Sequence, residues 1–201
     1  MPKDRTGQQT FVCTVPNVFS DFEIDYINEK IVYSGEKAVK GKLGGSAVGE
    51  GEVVEEVRNS DVFWLHASKN PWIFEKIWAA VTKANDMFWK FDIMRFTPQM
   101  GNAIQYTVYE SKDKGHYDWH MDTGRGLVWH RKLSFSIQMS HPREYVGGSF
   151  MISEGSDINR IASTTKGDMT IFPSFLQHRV SRVTEGRRRS MVGWVGGPAW
   201  R

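Results

Sequence analysis

The residues best equipped for chemistry lie in the stretch Tyr117-Asp118-Trp119-His120-Met121-Asp122. In an extended strand His120 and Asp122, two positions apart, point to the same face. An imidazole and a carboxylate so placed make two corners of a metal site. The third corner is available downstream as His178, in Pro173-Ser174-Phe175-Leu176-Gln177-His178. Two histidines and one carboxylate on one face of an octahedron leave the opposite positions open, which suits non-haem Fe(II) handling oxygen. Zinc can use the same three ligands together with a water. Arg188, ten residues beyond His178, is a permanent cation suited to a two-pronged grip on a carboxylate. A simple zinc hydrolase gives that arginine no task, so the set favours iron.

A lone His-x-Asp arises often by chance. Far more specific is the ordered set His120, Asp122, Gly147-Gly148, Lys166-Gly167-Asp168, Phe172-Pro173-Ser174, His178 and Arg188. With these residues the chain resembles the Fe(II)/2-oxoglutarate-dependent dioxygenase superfamily, and within it the prolyl 4-hydroxylase-like branch of PKHD-type hydroxylases. The resemblance runs from about Gln105 to Val195. It implies that Fe(II) sits on His120, Asp122 and His178, which are then the catalytic residues as well as the metal ligands. It implies further that 2-oxoglutarate meets the metal through its keto-acid end and Arg188 through its far carboxylate, with O2 as the oxidant and ascorbate as an accessory. Ser190 matches the serine of an R-x-S pair, and Tyr109 the tyrosine that helps to hold the carboxylate. Gln138 stands where many prolyl hydroxylases carry a further tyrosine, a departure that touches the fine geometry of co-substrate binding. The implied reaction is hydroxylation of a prolyl or other residue in a protein or peptide, with succinate and CO2 as co-products. The alternatives are the same chemistry on a free amino acid, small metabolite or nucleobase, and a non-enzymatic metal-binding jelly roll.

These side chains need elements to hold them. Short β-rich runs punctuated by turns follow one another from Tyr106 onward and predict an all-β core. Leu133 to Met139 alternates cleanly, with Leu133, Phe135, Ile137 and Met139 on one side and Ser134, Ser136 and Gln138 on the other. Gln105, Thr107 and Tyr109 share one side of a strand; Arg188, Ser190, Val192 and Trp194 share one side of the last. Arg187 and Arg189 then face outward. Upstream, Phe11 to Val15 reads as a strand, and Ser20-Asp21 caps a helix to about Tyr33 with Phe22, Tyr26, Ile27 and Ile31 as its apolar stripe. Gly35 to Gly51 holds six glycines and no phosphate-loop motif, so it reads as a flexible loop or loose hairpin. Val53 to Leu65 reads as strand with a break at Asn59-Ser60. Asn70-Pro71 opens a second helix whose stripe is Trp72, Phe74, Ile77, Trp78, Val81 and Phe88. Lys90 to Phe96 and Ala103 to Tyr109 read as strands. The resemblance makes the whole α+β and mainly β: a double-stranded β-helix (jelly-roll, cupin-like) core over about 101–198, braced by N-terminal helices within about 1–100, in a single domain spanning 1–201. It also turns Ser134, Ser136 and Gln138 into a cavity.

The bulk of the chain excludes other classes. Hydrophobic residues at 40% with eight tryptophans mark a globular chain. A net charge of +3, with basic residues dispersed apart from Arg187-Arg188-Arg189, leaves no nucleic-acid or membrane footprint. No stretch is long and apolar enough for a bilayer, the N-terminus lacks a secretory apolar region, and the lone Cys13 suits a reducing compartment; the expected location is the cytoplasm. The sequence leaves the oligomeric state open. His66, His116, His130 and His141 fall in polar contexts and are expected at the surface. Thr123 to Lys132, with Arg125, Trp129, His130 and Arg131, is a candidate lid or substrate-contact loop.

Overall fold

The computed structural model describes residues 10–33, 38–43, 51–94, 103–124, 126–155 and 159–200. In chain order the elements are β1 (Cys13–Val15), α1 (Asp21–Tyr33), β2 (Val39–Lys40), β3 (Arg58–Asn59), β4 (Asp61–His66), α2 (Pro71–Phe88) and β5 (Ala103–Glu110). There follow β6 (His116–His120), β7 (Arg131–Gln138), β8 (Tyr145–Gly147), β9 (Phe150–Ser153), β10 (Asn159–Ile161), β11 (Met169–Pro173), β12 (His178–Val180) and β13 (Val183–Gly196). The larger sheet has the order β1-β11-β7-β13-β5-β4-β2, with β8 joined to the start of β13. The smaller has the order β10-β9-β12-β6-β3. All strand pairs among the described residues are antiparallel. The fold is a double-stranded β-helix braced by the two helices, α+β and mainly β.

The alternation of β7 explains why the core sits where it does. Leu133, Phe135, Ile137 and Met139 are fully buried against Ile24, Ile27, Ile73, Ile77 and Val81 of the helices. Each such isoleucine contributes roughly 1.5–3 kcal/mol by leaving water. The opposite face of the larger sheet meets the smaller one, where Phe150, Ile152, Phe172 and Val180 form a second apolar cluster. Phe135 fills the core so fully that its partner in register, on β13, has to be Gly193; a Cβ there would stand 2.5 Å from the ring.

Both helices start as their sequences direct. Ser20 and Glu23 form a reciprocal capping box, the Ser20 amide donating to Glu23 Oε2 at 2.8 Å and the Glu23 amide to Ser20 Oγ at 3.3 Å. The buried face of α1 differs from the expected stripe. Ile24 and Ile27 are fully buried, whereas Phe22 is 81% exposed and Tyr26 49%. The docked face turns by one residue because Ile24 and Ile27 fit the sheet, and aromatic size alone misdirects the assignment; the side chain of Ile31 lies outside the described residues.

Lys90 to Met94 is not a strand. Lys90 takes a left-handed conformation (φ 55°), and the Asn85 side chain holds both backbone groups of Phe91, at 2.9 and 3.0 Å. With its backbone taken by a side chain, the segment has no ladder to join; positions 95 and 96 lie outside the described residues. The glycine-rich stretch falls largely outside them too, and its flanks meet in an antiparallel bridge between Leu43 and Glu52. No helix among the described residues is long and apolar enough to cross a membrane.

Candidate metal centre and its cavity

His120 ends β6 and His178 opens β12, and the two are paired in register across the smaller sheet. Asp122 follows β6 immediately and is tied to the chain entering β12, its amide donating to the Ser174 carbonyl at 3.0 Å. One potential ligand atom from each of His120, Asp122 and His178 lies within 4.8 Å of the others. His178 Nε2 is 3.2 Å from Asp122 Oδ2, and His120 Nε2 is 3.7 Å from Oδ1.

The rings are oriented from behind. His120 Nδ1 lies 2.7 Å from the Asp118 carbonyl and His178 Nδ1 3.0 Å from the Leu176 carbonyl. A carbonyl only accepts, so each Nδ1 donates and each Nε2 is turned toward Asp122, as a metal-binding histidine requires. Tyr117 stacks on the His120 ring with centroids 3.5 Å apart, and Phe172 packs edge-on against His178 at 4.8 Å. Ser134, from the polar side of β7, donates to Asp122 Oδ2 at 2.7 Å and lies 2.9 Å from Ser174 Oγ.

Electrostatics fit a cation among these three side chains. Burial pushes the Asp122 carboxyl up, but the charge and hydrogen bond of His178, with His120 and Arg131, outweigh it and hold the group well below the carboxylate range. Burial also presses on both imidazoles. It takes His120 down to about 3, helped by the charge of His178, while Asp122 outweighs it at His178 and holds that ring above its ordinary value. An ionised Asp122 and a neutral His120 are the states a metal binds, and the proton that Asp122 favours on His178 is the one a bound cation would displace.

The triad opens into a cavity of about 200 Å³ between the sheets, lined also by Arg188, Ser190, Tyr109 and Thr107. Arg188 is 3% exposed, lies 3.4 Å from Ser190 Oγ through NH1, and holds its guanidinium 5.6 Å from the Tyr109 ring centre. Gly148 (φ 59°) lets the chain lie against the Arg188 stem, since a Cβ there would stand 3.0 Å from Cδ. Gly147 (φ 78°) is required for a different reason, since a Cβ there would stand 2.2 Å from the Arg182 carbonyl oxygen. Thr107, opposite Ser190 in register, has a buried Oγ1 with no hydrogen-bond partner. Such an atom next to an arginine free of any carboxylate among the described residues fits a small carboxylate ligand.

Of the residues singled out in the sequence, His120, Asp122, His178, Arg188, Ser190 and Tyr109 are brought together around this cavity. Gln138 is not among its lining residues: its amide donates to the Tyr145 hydroxyl at 2.8 Å and the Ser140 carbonyl at 3.2 Å. Arg187 and Arg189 do face outward, paired with Glu110 and Glu144. His116, expected at the surface, is buried between the Lys114 and Glu56 carbonyls at 2.9 and 3.0 Å. Within Thr123 to Lys132, Val128 and Arg131 reach the cavity, Trp129 is 49% exposed, and Arg125 lies outside the described residues. Arg58 and Thr107 were missed as site residues, whereas Arg131 belongs to the loop expected to contact substrate and does line the cavity. Thr107 was accessible through the alternation of β5; Arg58 comes from a distant strand and carries no local signal.

Residues 104–196 match the model of the 2OG-Fe(II) oxygenase superfamily. The chain is 30% identical over 106 residues to a PKHD-type hydroxylase of Parvibaculum lavamentivorans, covering 53% of this chain and 48% of that one. To another PKHD-type hydroxylase, of Gloeothece citriformis, it is 35% identical over 100 residues, 49% of this chain and 44% of the relative. The chain thus spans about half the length of the curated relatives it matches. Among solved structures, a Pseudomonas putida prolyl-4-hydroxylase superposes with a TM-score of 0.68 at 14% identity, over 94% of both chains. A Trichoplax adhaerens prolyl hydroxylase, solved with a hypoxia inducible factor peptide fragment, gives 0.73 at 13% identity over 92% of this chain and 83% of that one. A non-haem α-ketoglutarate-dependent epimerase of nogalamycin biosynthesis gives 0.63 at 13%, over 93% and 78%. At such identities the structural likeness speaks for the fold alone.

Proposed function

We propose that this chain, whose residues 104–196 match the model of the 2OG-Fe(II) oxygenase superfamily, is an Fe(II)- and 2-oxoglutarate-dependent hydroxylase acting on a prolyl residue of a protein or peptide. The observation that carries the chemistry is the convergence of His120, Asp122 and His178 in the one cavity that also holds Arg188. The target class is supported by the PKHD-type relatives and the prolyl hydroxylase neighbours. In this reading residues 1–201 act as one domain, which the core shared by the helices and the β7 face supports.

His120, Asp122 and His178 would hold Fe(II), and Arg188 with Thr107, Ser190 and Tyr109 the co-substrate. Bound there, Fe(II) supplies oxygen chemistry coupled to the conversion of 2-oxoglutarate to succinate and CO2. The chain contributes placement. Arg188 fixes one carboxylate by charge-assisted hydrogen bonds, in a site dry enough to strengthen them. Burial raises the Tyr109 phenol, so it stays protonated and able to donate. Ser134 and the Asp118 and Leu176 carbonyls keep the three ligand side chains from turning.

The test is an anaerobic titration of metal-free protein with Fe(II) and then 2-oxoglutarate, followed by visible absorption. A band that needs both additions and is lost in Asp122→Ala supports the proposal. No band, with zinc held tightly instead, sends the site to hydrolytic or purely binding roles. The alternative target, a free amino acid or small metabolite, is favoured by one specific observation: buried arginines face the cavity beyond the one assigned to the co-substrate.

A further inference from the structure

The cavity wall carries far more positive than negative charge. Arg58, Arg131 and Arg188 line it against a single carboxylate, Asp122. A divalent ion and a dianionic 2-oxoglutarate cancel each other, so filling the site as proposed leaves that excess in place. Buried cations without an anion are costly, and a site that keeps them is built for one.

The surplus lies away from Arg188. Along β13, Arg188, Ser190, Val192 and Trp194 face the cavity, and six residues of strand separate the Cα atoms of Arg188 and Trp194 by roughly 20 Å. Arg131 lies over the Trp194 ring, its guanidinium carbon 3.7 Å from the centroid. It donates to a backbone group, the Asp122 carbonyl, at 3.1 Å. Arg58 is 6% exposed and is held by Ser60 Oγ, the Lys42 carbonyl and Gln105 Oε1, at 3.0, 3.3 and 3.1 Å. Those partners are neutral. Neither arginine has a carboxylate within ion-pair distance among the described residues. Gln105 sits opposite Val192, which places Arg58 toward the Trp194 end. There the buried Trp194 Nε1 has no hydrogen-bond partner. Two guanidinium groups and an indole N–H make a set of donors alone, and the matching ligand group is an anion able to accept from several of them.

We infer that the substrate carries a carboxylate close to the carbon that is oxidised, received by Arg58, Arg131 and the Trp194 N–H at the end of the cavity away from Arg188. This rests on the proposed function, with 2-oxoglutarate already at Arg188. Two sources supply the group: a small free acid, or the terminal or acidic side-chain carboxylate of a peptide. The cavity volume of about 200 Å³ is below the common range for ligand sites, roughly 300–1,000 Å³, so only a short group beyond the co-substrate fits.

Saturation-transfer NMR on the Zn(II)-loaded protein, first with 2-oxoglutarate and then with matched probes, tests this. The probes are N-acetyl-L-proline, N-acetyl-L-valine and glutarate against their primary amides, and Ala-Ala-Pro with a free against an amidated C-terminus. The expected result is contact by carboxylates and not by amides. Arg131→Gln and Arg58→Gln should each weaken it at least tenfold, with 2-oxoglutarate binding changed less than about twofold. Contact by the small acids identifies a free-acid source, and contact by the tripeptide acid alone a peptide source. Equal contact by acids and amides, contact by neither, or carboxylate contact that persists in both variants overturns the inference while leaving the co-substrate assignment standing. Failure of 2-oxoglutarate itself to bind removes both together.

Discussion

Ser134→Ala deletes one hydroxyl behind the proposed metal centre and leaves all three ligand side chains in place. Ser134 is fully buried, and its 2.7 Å hydrogen bond holds Asp122 Oδ2 while Oδ1 faces His120. A hydrogen bond to a charged group is worth about 1.5–3 kcal/mol. At about 1.4 kcal/mol per tenfold, its full loss would cost roughly 10- to 150-fold in metal affinity. Groups supporting a ligand from behind typically account for about 10- to 100-fold, so the two estimates agree. The exchange adds no bulk, and Ser174 Oγ, 2.9 Å away, loses one partner. The assay is a competitive titration of the metal-free protein with Co(II) against a chromophoric chelator, with melting of the metal-free form measured alongside. The expected result is metal affinity weaker by about 10- to 100-fold in a protein that still melts cooperatively. Affinity within twofold of the parent would refute the idea that Ser134 sets the carboxylate.

Other perturbations read different parts of the molecule. His120→Ala, Asp122→Ala and His178→Ala should each abolish 2-oxoglutarate turnover, measured as succinate release; full activity in any one of them removes that residue from the metal site. Arg188→Ala breaks a buried charge pair, a loss of about 2–5 kcal/mol, and should raise the half-saturating 2-oxoglutarate concentration roughly 30- to 4,000-fold without loss of metal. Gly193→Ala pushes a methyl into the Phe135 ring; overpacking of about 1–3 kcal/mol should lower the melting temperature by about 2–12 °C, and an unchanged value would mean the ring moves freely. Burial pushes the Cys13 thiol up to about 11 from 9.0. Because the folded value is raised, the contribution to stability is full below about pH 9 and lost as pH rises through about 11. Cys13→Ala also removes a buried core atom, so the melting difference between parent and variant should be constant near neutral pH and should shift, with the parent losing stability, only in that alkaline window; a difference that stays constant through it would contradict the assignment.

What the sequence revealed followed from period and order. Leu133 to Met139 alternates without exception, so its core face was legible, as were Arg188, Ser190, Val192 and Trp194 along β13; of its polar side Ser136 lines the cavity and Ser134 reaches Asp122, while Gln138 turns to Tyr145 and Ser140. The clustering of His120, Asp122 and His178 was legible because the first two sit two apart and the third follows a turn between strands. Other features depend on distant partners. His116 looks polar in its own neighbourhood and is buried only because the Glu56 carbonyl crosses β6 to meet it. Phe22 and Tyr26 outrank Ile24 in size, yet the sheet selects the isoleucines. Lys90 to Met94 has strand-like composition, and it took a single side chain, Asn85, to claim its backbone. Arg58 reaches the cavity from a two-residue strand, a placement that no window of residues encodes.

The pairing of His120 with His178 in register has a consequence for how such a chain can change over time. Fifty-seven intervening residues separate the two in sequence, yet their spacing is set by one pair of neighbouring strands. Segments such as 139–144 and 162–168 connect strands between them. Their length can grow or shrink without moving either imidazole, provided the strands return in phase. A shift of one residue within β6 or β12 is different, because it turns a histidine to the far side of the sheet. Variation in what the cavity admits is therefore channelled into the loops, while the His120–His178 pair is kept as a unit.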